Sequence, residues 1–429
     1  DAITDPIIGY LSDKSRIKTG TRKPTMVFGA IVLTSSGYLL YSPPNDVSAL
    51  YFAVWFIVFY CGYTLFNIPH LAWGGEISRG THEKNQTYIL RTVAMYLGAI
   101  VFYSLPLFPF WETTEITPQT LKFSAIISAL LMLPLLYFCM KRVPDGSCYG
   151  EEQSSVGSSG ESAKNTFGQF SSTIKIVIDN KPLLLFLGAF LFCGGGLGMW
   201  IGLFFIYVDA YLGMGALFAK ISLVGLIVSI PAALVWLEVA KILGKKNAWL
   251  LAVLLAIVGF AYTGFLNPEN ASYSTLLILW TIIMLCFVCV ESLPQSMLSD
   301  IVDYSTWKFR RYRGSTYFSW FVFTYKAAGA VGGALGLAMA GWYGFDATSS
   351  DQTESGITGL KLAMTWVPTL LLLIAMIFIA LSPITVRRHN IIRSRLDAIE
   401  VRSKKGKIQA LESGVTETRS TANLYKVKA

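Results

Sequence analysis

The sequence predicts an all-α integral membrane protein built as two helical bundles. Three observations carry that reading: apolar stretches of membrane length recur along the chain, basic residues fall in every second loop, and one polar linker divides the spans. Of the 429 residues, 53% are hydrophobic and only 14% charged, with a mean hydropathy of +0.52. A soluble domain of that composition would expose too much apolar surface to stay dispersed. A bilayer core about 30 Å thick needs roughly 20 apolar residues per helix. Such stretches fall at 25–42, 48–73, 88–111, 121–140, 183–211, 217–240, 248–267, 274–298, 315–344 and 360–384, and residues 1–13 read as half of a further span. None has the short alternating pattern of transmembrane β-strands.

The formal net charge of +9 raises nucleic acid as a partner, but the placement of the charge argues against it. Lys14, Arg16, Lys18, Arg22 and Lys23 fill the first loop, whereas the next, 42–48, has only Asp46. Arg79 and Lys84, then Lys141 and Arg142, then Lys241, Lys245 and Lys246, then Lys308, Arg310, Arg311 and Arg313 continue the basic series. Glu112 and Glu115, Glu269, and Asp346, Asp351 and Glu354 occupy the loops between. This is the positive-inside pattern. The basic tail from Arg387 falls in phase, so the C-terminus is expected in the cytoplasm, with a bacterial inner membrane as the expected location. The same parity puts residue 1 within a span, and the expectation is a fragment lacking at least one N-terminal helix. Cys61, Cys139, Cys148, Cys193, Cys286 and Cys289 all lie in spans or on the cytoplasmic side, which leaves no disulfide framework.

The low-complexity stretch Asp145–Asn165 reads as a flexible linker. It separates five visible spans from six, and restoring one helix gives six plus six. The expected divisions are an N-terminal bundle at 1–143 (helices 2–6 of 12), a cytoplasmic linker at 144–181, a C-terminal bundle at 182–385 (helices 7–12) and a basic cytoplasmic tail at 386–429. The two groups echo each other: Gly9 and Asp13 lead to Gly20, Arg22 and Lys23, as Glu238 leads to Lys241 and to Gly244, Lys245 and Lys246. Cations are favoured near a helix C-terminus, so two ordinary basic loops remain the plain alternative. Parallel repeats of six spans are a transporter pattern. Gly194–Gly198 with Gly202, and Gly329, Gly332, Gly333 and Gly336, read as close helix packing.

An ionisable side chain in hydrocarbon costs a few kcal/mol and so faces a cavity or a partner. Asp1 and Asp5 are four apart and share a helix face; with Thr4 and Thr64 they offer the oxygen ligands that hard cations take. A helix start exposed to water is the alternative. Lys326 lies some twelve residues from Arg313, beyond the reach of snorkelling, and should need an acidic partner in a central cavity. Arg91, a turn or two inside its predicted span, either snorkels or faces that cavity. Glu291 stands mid-span and is assigned to the cavity, whereas His70 reads as a packed helix residue. Asp300 and Asp303 read as cytoplasmic ion pairs near Lys308 and Arg310. His70, His82 and His389 are scattered, and no metalloprotease motif, Walker A loop or nucleophile elbow occurs. The chain is therefore expected not to be an enzyme, to need no cofactor, and to run on an ion gradient or passively.

The segment Asp1-Ala-Ile-Thr-Asp5-Pro6-Ile-Ile-Gly9, with Asp13 and Gly20-Thr-Arg22-Lys23-Pro24, resembles the second helix and loop of the glycoside–pentoside–hexuronide:cation symporters. That family belongs to the major facilitator superfamily. Tyr63-Thr64-Leu-Phe-Asn67-Ile-Pro69, Asp300-Ile-Val-Asp303-Tyr304 and the Lys326 helix align in the same order, so the resemblance covers essentially the whole chain. It implies two six-helix bundles around a central cavity, with the first helix missing here. It places Asp1, Thr4, Asp5 and Thr64 at the family's cation site. Arg91 and Lys326 fall where the family couples cation to sugar, while Gly9, Asp13, Gly20, Arg22 and Lys23 fall in its cytoplasmic gate motif. Asn67 stands where a familiar member has a sugar-binding aspartate, Leu71 and Glu291 where it has tryptophans, and Thr4 where it has an asparagine. These departures leave Na+ and H+ both open as coupling ion and point away from a galactoside pocket, toward an acidic sugar or an oligosaccharide.

The expected activity is sugar:cation symport by alternating access, by a monomer in the lipid bilayer, with Asn67, Arg91, Glu291 and Lys326 binding or coupling substrate. A lysophospholipid symporter of the same fold and a non-transporting membrane sensor are the alternatives. The tail after Arg387, with Ile391, Ile392, Leu396 and Ile399, reads either as an amphipathic segment on the inner membrane surface or as a solvated tail.

Overall fold

The computed structural model describes residues 4–44, 47–78, 80–105, 108–109, 111, 117–146, 178–310, 312–347, 352–383, 385–399 and 401. Among these the chain is helical throughout, without strands. Five helices precede the undescribed middle: α1 (Thr4–Thr19), α2 (Lys23–Tyr41), α3 (Ala49–Ile77), α4 (Thr81–Ser104) and α5 (Pro118–Arg142). After it come α6 (Lys181–Ile206), α7 (Phe218–Leu243), α8 (Lys245–Thr263), α9 (Tyr273–Phe309), α10 (Gly314–Trp342), α11 (Glu354–Lys361), α12 (Val367–Ala380) and a tail helix, α13 (386–399). A π-helical turn, Tyr207–Tyr211, extends α6, and another, Leu362–Trp366, joins α11 to α12. With those turns counted in, ten of the described helices are long and apolar enough to cross a membrane.

Local chemistry sets where several helices begin. Ser48, Thr117, Asn180 and Ser272 each accept a hydrogen bond from a backbone N–H of the first turn, satisfying donors that the helix itself leaves free. Pro69, Pro134, Pro231 and Pro294 lie inside helices, where packing against neighbours makes the lost backbone bond tolerable. Three helices run past their predicted ends. α3 continues to Ile77, α4 starts at Thr81, and α9 reaches Phe309. Hydropathy marks only lipid-facing sequence. These extensions carry Glu76, Lys84, Asp300 and Asp303, whose charges are buried against other helices rather than lipid.

The glycines of α6 and α10 act as packing residues, as expected: a Cβ at Gly198 would lie 2.2 Å from the Gly329 carbonyl oxygen, so this close crossing excludes a side chain there. The largest buried cluster lies mostly in the second half, where Trp200, Phe204, Phe260 and Trp280 stack, and Leu71, Ala72 and Tyr88 join it from the first. The linker expectation needs one correction. The Trp73 indole donates to the carbonyls of Pro144 and Asp145 at 3.2 Å, and Arg16 to that of Gly146. Residues 144–146 are thus docked on the first half, not loose; the rest of the stretch, 147–177, lies outside the described residues, as does Cys148.

The expected echo between halves is real but pairs different residues. Gly20 and Gly244 both adopt positive φ, +75° and +79°, a conformation that glycine takes without steric cost. Beyond that turn the second half departs from expectation. Glu238 is no counterpart of Asp13: it is exposed and pairs with Lys241 one turn away on its own helix. Arg22 binds Glu76 at the end of α3, and Lys245 binds Asp300 near the end of α9. A separation of 224 residues relates Gly20 to Gly244, Glu76 to Asp300 and Asn67 to Glu291. The repeat therefore equates turn, anchoring carboxylate and mid-span polar residue.

Candidate central site and basic-end gate

Midway along the helices, two halves of the molecule meet through polar side chains. Asp5 on α1 is fully buried. Thr64 on α3 donates its hydroxyl to Asp5 Oδ1 at 2.8 Å, and Lys326 on α10 places Nζ 3.3 Å from Asp5 Oδ2. The Lys326 ammonium also lies 5.4 Å from the centre of the Tyr63 ring. Lys326 thus has the acidic partner its position required, and that partner belongs to the opposite half. Thr4 is the first residue of α1, while Asp1 lies outside the described residues, so the carboxylate pair is described only at Asp5.

Arg91 faces inward and does not snorkel. It is eleven residues into a helix starting at Thr81, donates to Asn67 Oδ1 at 2.8 Å, and reaches Gln295 Oε1 across the halves at 3.4 Å. Among the described residues it has no carboxylate within ion-pair distance. Glu291 lies one turn from Gln295 on α9 and accepts a hydrogen bond from the Tyr325 hydroxyl at 2.9 Å. It joins the central level but not the Asp5 cluster. Leu71 is buried, its carbonyl accepting from Tyr88; His70 stacks on Phe66, the packing role expected of it.

Toward the basic end, the two halves are clamped. Asp13 accepts from the backbone N–H groups of Ser315 and Thr316 at 2.9 and 2.8 Å and from the Thr316 hydroxyl at 2.7 Å. A carboxylate is thereby seated on the N-terminus of α10, the positive end of its dipole. Arg22 holds Asp13 at 2.8 Å and donates to Ser315 Oγ and to Glu76, which Arg16 also binds at 3.2 Å. Lys23 sits at the edge, paired with Asp145. A hydrogen bond from Thr21, assisted by Lys23, holds the Asp145 carboxyl below the usual range. Gly9 and Gly75 let the halves approach: a Cβ on either would fall 2.4 Å from the hydroxyl oxygen of Ser319 or Ser299, respectively.

A second clamp was not foreseen in this form. Asp300 and Asp303 do form ion pairs, but buried ones, and their partners are not Lys308 and Arg310. Lys84 from α4 lies 2.6 Å from Asp303 and 3.4 Å from Asp300; Lys245 lies 2.6 Å from Asp300. His389 of the tail helix lies 3.0 Å from Asp303 through Nε2, and its Nδ1 is 2.9 Å from the Thr81 hydroxyl. Asp300, Asp303 and His389 are close enough to share a metal ion. Two lysines already occupy the carboxylates, so the set is a charge-paired clamp. The tail is accordingly neither free in solvent nor solely on a membrane: Ile392 and Leu396 are buried against Tyr304 and Trp307.

Sequence reasoning missed Gln295, Tyr325, Glu76 and the partnership of Lys84 with Asp303. The 224-residue repeat was the signal for Glu76, once Asp300 had been noted; the inter-half pairs left none.

A family model described as MFS/sugar transport protein matches residues 1–386. The uncharacterized symporter YjmB of Bacillus subtilis is 24% identical over 404 residues, covering 90% of this chain and 82% of the relative. A glucuronide carrier protein homolog of Escherichia coli is 25% identical, with 97% and 88% covered. A sodium-dependent lysophosphatidylcholine symporter of Xenopus tropicalis is 22% identical, with 96% and 83% covered. Among solved structures, the fucose:proton symporter of E. coli aligns with a TM-score of 0.59 at 12% identity, covering 89% of this chain and 88% of that one. At that identity the likeness is one of fold.

Proposed function

The chain belongs to the MFS/sugar transport protein family, and from that premise we propose that it is a symporter coupling entry of a sugar of the glycoside, pentoside or hexuronide class to Na+ or H+. Its relatives are transporters, not enzymes. The observation that carries the reading is the Asp5–Lys326 pair between the halves, with Thr64 on the same carboxylate. A coupling cation at Asp5 competes with the Lys326 ammonium for one buried carboxylate. Binding it frees Lys326 and loosens one tie between the halves, so cation occupancy changes the balance between access states, as linkage requires. Arg91, already shared between Asn67 and Gln295, stands beside that event and presents an unneutralised cation to substrate, which favours an acidic sugar. The basic end is the proposed cytoplasmic side, from the charge of its loops. With that end clamped, the proposed state is one closed to the cytoplasm in an alternating-access cycle.

The test is uptake of labelled uronates, pentoses and neutral glycosides into proteoliposomes holding the full-length protein, under an imposed Na+ or proton gradient. Accumulation that requires one gradient and disappears in Asp5→Asn supports the reading; uptake indifferent to both gradients sinks the coupling. A second substrate class follows from the relatives named lysophosphatidylcholine symporters, and gradient-driven uptake of that lipid without any sugar would replace the first.

A further inference from the structure

The turn between α7 and α8 borders a cavity that lies outside the central site and backs onto the second clamp. Its volume is about 260 Å³, room on the order of nine waters. Lys246, Asn247, Ser382, Thr385 and Arg387 line it, with Lys245 and Asp300 at its inner wall. Lys245 and Asp300 are paired at 2.6 Å, so their charges cancel. Lys246 is different. Its Nζ is fixed at 2.6 and 3.1 Å by the carbonyl oxygens of Ala380 and Ser382, which hold the ammonium in place without neutralising it. Among the described residues, neither Lys246 nor Arg387 has a carboxylate at ion-pair distance. The cavity therefore carries an uncompensated double positive charge.

Its rim is apolar. Leu243 and Val386 line the cavity and are exposed. Ile242, 81% exposed, and Leu381, 62% exposed, are chain neighbours of the lining residues Leu243 and Ser382 and stand at the basic ends of two membrane-spanning helices. In a spanning protein such residues face acyl chains. A ligand suited to this place has an anionic, hydrogen-bonding head and an apolar body entering from the side. Basic pockets between spanning helices recognise phospholipid headgroups in this way. A free phosphate would have no use for the apolar rim.

We propose that this cavity is a binding site for the headgroup of an anionic phospholipid from the leaflet at the basic end. The phosphate lies between Lys246 and Arg387, Asn247 and Thr385 hydrogen-bond the glycerol, and the chains run along α7 and α12. The site is independent of the transported substrate.

The test is native mass spectrometry of the purified full-length protein titrated with phosphatidylglycerol, phosphatidylcholine or inorganic phosphate. Phosphatidylglycerol should be retained in preference to phosphatidylcholine. Arg387→Gln should weaken that retention about five-fold, and Lys246→Gln with Arg387→Gln about twenty-five-fold, the scale for one and two cations facing anionic lipid. Arg387 lies on the exposed side of the tail helix, so the single variant reads binding apart from folding; unchanged helicity and unchanged phosphatidylcholine retention check the double variant. Equal retention of the two lipids overturns the proposal, as does a double variant that keeps phosphatidylglycerol. Displacement of the lipid by millimolar inorganic phosphate, with phosphate adducts lost in the double variant, would assign the cavity to a free anion instead.

Discussion

Asp5 and Lys326 meet at 3.3 Å from opposite halves, with the carboxylate fully buried and the ammonium side chain 31% exposed. An unpaired carboxylate at that depth is costly, so Asp5 always needs a positive partner or a proton. Lys326 is the partner here, and in the proposed symport the coupling ion would be its rival.

Asp5→Asn removes the anion that both cations seek. Cation dependence of sugar affinity, about 5–150-fold in typical coupled sites, should fall to none, while exchange of sugar down its own gradient survives. Binding titrations with and without Na+, and at two pH values, check this. Lys326→Ala should do the reverse for the ion: with its competitor gone, cation affinity rises even as coupled accumulation is lost.

Lys84 and Asp303, 2.6 Å apart and from opposite halves, should behave as a gate pair. Removing one member of a buried pair costs up to about 3–5 kcal/mol when the other charge is left uncompensated; Asp303 keeps His389 and Arg393 beside it, so the cost here should fall below that range. Lys84→Met should therefore disfavour the state with the basic end closed, exposing a cysteine placed at Ser299 to alkylation from that side. Adding Asp303→Leu should restore part of the protection; a double variant no better protected than Lys84→Met would rule out direct pairing.

Gly9→Ala tests the first clamp through shape alone. The new Cβ would lie 2.6 Å from Ser319 Cβ and 2.9 Å from the Ser315 carbonyl oxygen, and a backbone oxygen cannot swing away. Overpacking of this kind costs about 1–3 kcal/mol, borne only when the basic end is closed. A cysteine at Ser12 should become more accessible in Gly9→Ala. Gly98→Ala, with no atom within 4 Å of the added carbon, should change nothing.

What the sequence made legible follows from what chemistry is local. Span number, the basic end and the isolation of Lys326 all rest on hydropathy and charge along one helix, and each can be read from neighbouring residues. The identity of the partners cannot. Lys326 announces that it needs an anion, but only the packing of α1 on α10 makes that anion Asp5. Lys84 looked like one more loop cation because hydropathy ends where lipid ends, whereas its helix runs on into protein. His389 is isolated along the chain for the same reason: its partners Thr81 and Asp303 lie 308 and 86 residues away, and Asp300 is the third. Asp1, the second carboxylate expected at the cation site, lies outside the described residues.

The tail helix likewise depends on partners distant in the chain. Its anchors are in the second half: Ile392 and Leu396 are buried against Tyr304 and Trp307, Arg395 lies over the Trp307 ring, and Arg393 lies 3.5 Å from Asp303. Its reach into the first half is through His389, which bridges the Asp303 carboxylate and the Thr81 hydroxyl. Nε2 must donate to the carboxylate, so in the neutral ring Nδ1 is the acceptor for Thr81. Opening the basic end separates α4 from α9 and breaks that bridge. His389→Ala should thus ease opening by up to about 1.5–3 kcal/mol, the scale of a hydrogen bond involving a charged group. A merely structural tail would give the same result if the variant undocked the helix, so Thr81→Val is the decisive comparison. It leaves the anchors at Tyr304, Trp307 and Asp303 in place and removes the His389 link to the first half. Thr81→Val should raise alkylation of the Ser299 cysteine from the basic end while the tail stays as resistant to protease as in the unmodified protein. If opening is unchanged in Thr81→Val and altered only when the tail becomes cleavable, His389 supports the tail and does not hold the gate.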